Sequence, residues 1–191
     1  MSIQALRELF NRDACAEVRS HEGSDTGTVI LSERGSGAQS DYYEFTIKGV
    51  PSTSLIVNLD DNFPAPSSIF QGSNGECRRS DYLIFSDFDD QFYAIFVEMK
   101  KTGRNHANSN IVSQLRGGEC FFGYCCALLE GFWNAPRLSI TGGLRFASIR
   151  DVHIHKRPTR SNGLVELHDR PERMKKISGK STHFKNLIHP G

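Results

Sequence analysis

Two apolar runs, Asp81-Tyr-Leu-Ile-Phe85 and Phe92-Tyr-Ala-Ile-Phe-Val-Glu-Met-Lys100, flank a short acidic segment that holds Asp87, Asp89 and Asp90. Both runs are short and rich in aromatic and β-branched residues, which predicts two strands of a hairpin. The acidic residues between them have turn chemistry; a calcium loop of the EF-hand type would also need a glycine and a distal Glu. Residues two apart on a strand share a face. Glu98 and Lys100 therefore emerge side by side, and pairing of the strands brings Asp81 close to them. The Asp-rich turn falls at the opposite end. Packing alone does not place two carboxylates and an ammonium at the edge of an apolar hairpin, because buried charge is costly unless it is paired.

Such a trio suits a divalent metal and a phosphodiester. Mg²⁺ takes oxygen ligands, usually one or two carboxylates together with waters and substrate phosphate. Asp81 and Glu98 supply the carboxylates, and the backbone carbonyl of Met99 lies between two site residues as a third ligand. Lys100 is placed to orient or deprotonate an attacking water, or to stabilise charge on the phosphorus.

The pattern resembles the PD-(D/E)XK nuclease superfamily, whose signature is an Asp on one strand of a hairpin, a variable gap, then Glu/Asp-x-Lys on the next strand and a following helix. Asp81, Glu98 and Lys100 match it, and Ser80 stands where the motif's proline would be. The resemblance covers about residues 75–155. It implies a restriction-endonuclease-like mixed sheet, Mg²⁺ or Mn²⁺ as cofactor, and hydrolysis of nucleic acid, with DNA favoured over RNA. Gln114 sits where recombination and resolvase branches carry a Gln on the helix, and would position water, Lys100 or a phosphate. The Gln-x-x-x-Tyr version is not matched, since position 118 is Gly. Some relatives add a metal-binding Glu from the N-terminal helix; Glu17 is the candidate here and Glu8 the alternative.

Around this centre the chain reads as α+β, with an N-terminal antiparallel meander added to the core. Residues 2–20 have helical spacing, with Ile3, Leu6, Phe10 and Ala14 on one face. Thr28–Ser32, Tyr42–Lys48 and Ser54–Asn58 read as the three strands of the meander, with turn chemistry at Gly35-Ser-Gly37 and Val50-Pro51. Ile111 to Leu129 has a helical stripe of Ile111, Leu115, Phe122, Cys126 and Leu129. Gly117-Gly118 leaves a thin waist in it, for a close approach or a bend. Leu144–His155 alternates as a strand, and a short helix is expected near 170–177. The order near the site is strand, strand, helix, strand, with a helix at the N-terminus. Residues 1–155 are expected to form one domain, and 156–191 a basic C-terminal extension packed in part on it.

At 191 residues, with thirteen Phe, five Tyr and one Trp, the chain can build a substantial core. No run approaches the length of a membrane span, and the start lacks the basic region and long apolar stretch of a signal peptide. The five cysteines, without CxxC spacing, fit small core residues in a reducing cytoplasm better than zinc ligands or disulfides. The near-neutral total charge conceals a division: residues 150–191 carry ten Lys/Arg against four Asp/Glu, a net +6, while the remainder is net −5. A basic end suits sequence-independent contacts to phosphates, and a solvated tail would look the same.

His153-x-His155 places two imidazoles on one strand face without a third ligand, and exposed polar residues explain it more simply. Asp60-Asp61 starts a loop, with an auxiliary metal role as the other reading. Arg78-Arg79 and the polar loop with Arg104, His106 and Asn108 adjoin the trio and are placed to touch substrate. The leading expectation is a metal-dependent nuclease, endonucleolytic, of restriction, antiviral defence or recombination. The alternatives are a non-catalytic subunit of the same fold that binds nucleic acid or protein in a larger complex, and an RNA-directed toxin or effector. A homodimer and a larger assembly are both open, and no membrane is involved.

Overall fold

The computed structural model describes residues 3–20, 22–34, 42–62, 69–100, 108–136, 138–151 and 167–190. The hairpin lies at its centre. Strands β6 (Tyr82–Phe88) and β7 (Gln91–Lys100) pair antiparallel, in a register that sets Tyr82 against Val97 and Phe88 against Gln91. The two residues between them, Asp89 and Asp90, have φ of 49° and 59°. Positive φ at both central positions is the geometry that tight hairpin turns need, and Asp tolerates it better than most residues. The acidic cluster is thus a turn, far along the strands from Glu98.

Helix α1 (Ile3–Leu9), short strands β1 (Cys15–Ala16) and β2 (Arg19–Ser20), and long strands β3 (Thr26–Arg34) and β4 (Tyr42–Pro51) precede the hairpin, followed by β5 (Leu55–Asn58) and a helical turn α2 (Leu59–Asn62). After it come the 26-residue helix α3 (Asn108–Trp133), β8 (Gly143–Arg150), β9 (Lys175–Ser178), β10 (Ser181–His183) and α4 (Lys185–Ile188). A six-stranded sheet runs β1-β5-β6-β7-β8-β9, antiparallel as far as β7 and parallel beyond it. A four-stranded sheet runs β10-β4-β3-β2. The fold is α+β, and α3 is the crossover that a parallel β7–β8 pair requires.

Three layers result. Val29, Leu31, Phe45 and Ile47 of the smaller sheet pack against Ile84, Ile95, Val97 and Ile149 of the larger one. On the other face, Leu83, Phe85, Ala94 and Phe96 meet Ile3 and Leu6 of α1 and Ile111, Leu115 and Phe122 of α3. Phe96 stacks on Phe146 of β8 with centroids 4.7 Å apart and meets Phe122 of α3 edge-on. Strands covered on both faces read as continuous apolar runs, which is why 82–85 and 92–97 do not alternate.

Several expectations change. The N-terminal helix stops at Leu9, because Cys15 and Ala16 are drawn into pairing with Val57 and Ile56. The predicted meander is a β3–β4 pair only. Its third strand, β5, crosses to the larger sheet beside β6, as befits a Leu-Ile-Val run buried throughout. Where a helix is expected near 170–177, there is a 3-10 turn at Pro171–Arg173 and then β9, held by parallel pairing with β8. Cys125, rather than Cys126, completes the buried stripe of α3. Strand β8 ends at Arg150, and the His153–His155 pair, Arg104 and His106 lie outside the described residues. Residues 167–190 are an integral part of the body: β9 extends one sheet, β10 the other, and Phe184, Leu187 and Ile188 are buried between them.

Candidate active site at the end of the central hairpin

The β6–β7 register places Asp81, one residue before Tyr82, opposite Glu98, one residue after Val97. Opposed residues share a face, here the one covered by α3. Asp81 is 6% exposed and Glu98 is 0% exposed. The Met99 N–H donates to Asp81 Oδ2 at 2.5 Å, and the Asp81 carbonyl accepts from Leu59 N–H at 2.8 Å. Lys100 Nζ forms an ion pair with Glu98 Oε1, and its side chain is 14% exposed. Asp81, Glu98 and Lys100 are therefore brought together as their spacing implies.

A third carboxylate joins them that the sequence pattern does not reveal. Glu33 Oε1, from β3 of the smaller sheet, lies 3.8 Å from Lys100 Nζ. Its position is set by the residue before it: Ser32 N–H donates to Tyr82 Oη at 2.9 Å, and that hydroxyl donates to the Ser32 carbonyl at 2.7 Å. Tyr82 adjoins Asp81, so one phenol pins β3 to the central hairpin. Glu33 and Glu98 are far apart in sequence, and no local pattern links them. Ser148 escapes sequence reasoning for a similar reason. It stands opposite Glu98 on β8, wholly buried, and its hydroxyl has no partner among the described residues.

The electrostatics follow from burial. Desolvation pushes the Asp81 carboxyl up to about 7, against the pull of Lys100 and of the Met99 N–H. Glu98 is raised well above the usual carboxylate range, first by burial and then by Asp81. For Lys100, burial acts to lower the ammonium's pKa, but the Glu98 and Asp81 carboxylates outweigh it and the net shift is upward. Three carboxyl groups surround one ammonium in a poorly hydrated place, and the raised pKa values of Asp81 and Glu98 are the mark of negative charge that the ammonium does not fully compensate.

The donors fit a hard divalent cation. Glu98 Oε2 is buried with no hydrogen-bond partner among the described residues, while Oε1 is taken by Lys100. Backbone N–H and C=O groups of one strand residue point to the same side. The Lys100 carbonyl accepts from Asp151 N–H on the β8 side, so the Met99 carbonyl, like its N–H, points to the Asp81 side beyond the paired end of β6. No group of three His, Cys, Asp or Glu side chains with a ligand-like arrangement occurs among the described residues. Two carboxylates and a carbonyl match the sparse protein ligation usual for Mg²⁺.

Beside Lys100 a cavity of about 310 Å³ is lined by Asp60, Arg78, Arg79, Asn110 and Gln114. Gln114, on the second turn of α3, thus shares a cavity with Lys100. The paired glycines of α3 make this possible. A Cβ on Gly117 would stand 1.8 Å from the Arg78 carbonyl oxygen, and one on Gly118 2.2 Å from Ser80 Oγ. Only glycine lets the helix press against the segment that leads into Asp81. Glu17 and Glu8 lie elsewhere. Both line a separate cavity with Arg7 and Arg12, and Glu17 sits between β1 and β2 rather than on a helix.

Comparison with protein-family models, with curated proteins and with solved structures found no match to the chain. Among the described residues no helix is long and apolar enough to cross a membrane.

Proposed function

We propose that the protein is a metal-dependent nuclease that hydrolyses phosphodiester bonds, with DNA as the favoured substrate and Mg²⁺ or Mn²⁺ as cofactor. The observation that carries this reading is the buried convergence of Asp81, Glu98 and Lys100, with one Glu98 oxygen lacking any donor among the described residues. The order of α1, β5, β6, β7, α3 and β8 supports it, because it supplies the helix, hairpin, helix and strand that the PD-(D/E)XK resemblance implies. The preference for DNA rests on that resemblance alone.

Asp81, Glu98 and the Met99 carbonyl would hold the cation. When bound, it would lower the pKa of a coordinated water and offset charge developing on the phosphate. Lys100 keeps its proton between Glu98 and Glu33, so in this arrangement it acts first as a cation that orients the water and stabilises the phosphate oxygens. Gln114 stands at the cavity wall, where its amide can hold water or a phosphate oxygen. Tyr82 and the α3 glycines keep these groups in fixed relation, which is what positional catalysis needs.

The test is cleavage of plasmid, linear duplex, single-stranded DNA and RNA in Mg²⁺, Mn²⁺ or EDTA, by the wild type and by Asp81→Asn, Glu98→Gln and Lys100→Met. Metal-dependent cutting that all three substitutions abolish is the expected result. Cutting that persists in the variants would sink the assignment. Nucleic-acid binding without cutting would move the protein to a non-catalytic subunit of the same fold.

A further inference from the structure

The cavity beside Lys100 has a composition that the cluster of three does not explain. Arg78, Arg79 and Lys100 line it, with Asp60 as the one carboxylate. That carboxylate is already engaged, since Asp60 Oδ1 is 3.5 Å from Arg79 Nη2. The Arg79 guanidinium is also fixed by backbone: Nε donates to the Leu59 carbonyl at 3.1 Å and Nη2 to the Asp60 carbonyl at 3.0 Å. Arg78 Nη1 donates to Asn110 Oδ1 at 2.8 Å. Among the described residues, Arg78 Nε and Nη2 and Arg79 Nη1 have no acceptor. The Arg79 guanidinium is thus fixed and that of exposed Arg78 is steadied by one bond, both with donors to spare, at the wall of a space that Lys100 also lines.

The backbone beneath them is held as well. The Gly117 contact presses α3 against the Arg78 carbonyl, so the arginines are carried on a segment packed against that helix just before Asp81. Guanidinium groups held in this way recognise phosphate oxygens by paired, charge-assisted hydrogen bonds.

We infer that this cavity is a phosphate-binding subsite, and that it takes the phosphate next to the scissile one in the substrate strand. The inference rests on the nuclease reading for its substrate, but on the arginine cavity for its ligand chemistry. Arg78 is the chief ligand, because its guanidinium is the less committed of the two. Asn110 and Arg79 are positioning residues. The neighbour of a scissile phosphate is anchored on the helix side of the strand, which fixes how the strand lies across Glu98 and Lys100.

The test separates the two readings. Binding of fluorescent single-stranded and duplex oligonucleotides is measured in EDTA over a range of salt, for the wild type, Arg78→Ala and a distant control, Lys48→Ala on the exposed side of β4. Thermal shifts with inorganic phosphate and a nucleoside monophosphate are measured in parallel, and the melting temperature of each variant reports folding. Arg78→Ala is expected to weaken oligonucleotide binding about tenfold. It should lower the slope of log K against log salt by about 0.9 for duplex or about 0.7 for single strand, while Lys48→Ala does neither. Wild-type affinity and slope in folded Arg78→Ala, with cleavage intact, would overturn the subsite and leave the nuclease reading standing. An Arg78-dependent thermal shift with phosphate or the mononucleotide, without oligonucleotide binding, would keep the cavity as an anion site and overturn its place along a nucleic-acid strand. Absence of both kinds of binding in the wild type would overturn the subsite, while the nuclease reading is decided by the cleavage assay.

Discussion

The carboxylate of Asp81 accepts the backbone N–H of Met99 at 2.5 Å, joining the residue that precedes β6 to the residue between Glu98 and Lys100. One bond thereby ties all three candidate site residues to a common backbone frame. It also continues the β6–β7 ladder with a side chain after the backbone pairing has ended. The Met99 carbonyl is left facing the same opening, so the hydrogen bond and the proposed metal ligation belong to one local design.

Divalent cations should stabilise the folded protein through this frame. A ligand at a hundred times its dissociation constant adds about 2.7 kcal/mol to stability. Thermal melts in Mg²⁺ or Mn²⁺ against EDTA should show a rise for the wild type that is lost in Asp81→Asn and Glu98→Gln. An equal rise in those variants would place the cation elsewhere.

Lys100→Met should destabilise the metal-free protein by about 3 kcal/mol, the low end for a buried pair because Lys100 is partly exposed, since it leaves the Glu98 carboxylate buried without its ammonium. The complete burial of Glu98 is what makes the loss costly. The double variant Glu98→Gln/Lys100→Met should cost clearly less than the sum of the single changes, with a coupling of about 1 kcal/mol or more in denaturant unfolding. Simple additivity would mean that the ion pair carries no energy.

The glycines of α3 should divide by what lies above them. At Gly123 nothing comes within 4 Å of the place an added Cβ would occupy, so Gly123→Ala should stabilise by about 0.5–1 kcal/mol through helix propensity. Gly117→Ala meets the Arg78 carbonyl at 1.8 Å. It should lower stability by about 2 kcal/mol despite the same propensity gain, and should reduce cleavage further by shifting Arg78 to Asp81. Melting curves of the two variants that move in the same direction would refute the close approach.

His168 gives a pH dependence of definite sign. It is 2% exposed, and its Nε2 lies 2.7 Å from the Leu187 carbonyl. Burial lowers its pKa below the usual 6.5 despite that bond. The unfolded chain therefore takes up the proton first as pH falls. The contribution is complete above about pH 6.5 and is lost as pH drops through the lower native value. The stability difference between wild type and His168→Gln should shrink across that window. A difference that stays constant from pH 8 to pH 5 would show that His168 does not titrate with folding.

The hairpin is legible in the sequence because its information is local. Apolar runs, a turn of Asp residues and a period of two are enough to align Asp81, Glu98 and Lys100. The α3 waist is legible as a weakness in a helix, but its purpose needs the Arg78 carbonyl. Glu33 is not legible, since it reaches Lys100 only when two sheets stack and Tyr82 grips Ser32. The same holds for β5, whose sheet is chosen by tertiary burial, and for β9, where Lys175-Lys176-Ile-Ser178 has no strand signal apart from its neighbour β8. Glu17 falls on a helical pattern that the pairing of Cys15 and Ala16 cuts short.

The strands β9 and β10 complete different sheets, one beside β8 and the other beside β4. A ribosome that has translated as far as Arg150 has made every residue of the carboxylate–lysine cluster, yet both sheets still present open edges. Residues 175–183 cover the long strands β8 and β4 with two shorter ones, β9 and β10, which become the new edges. Until then β8 and β4 are both edge strands, and long edges are the ones most exposed to wrong partners. The shielding of both long edges is therefore encoded downstream of the site it protects.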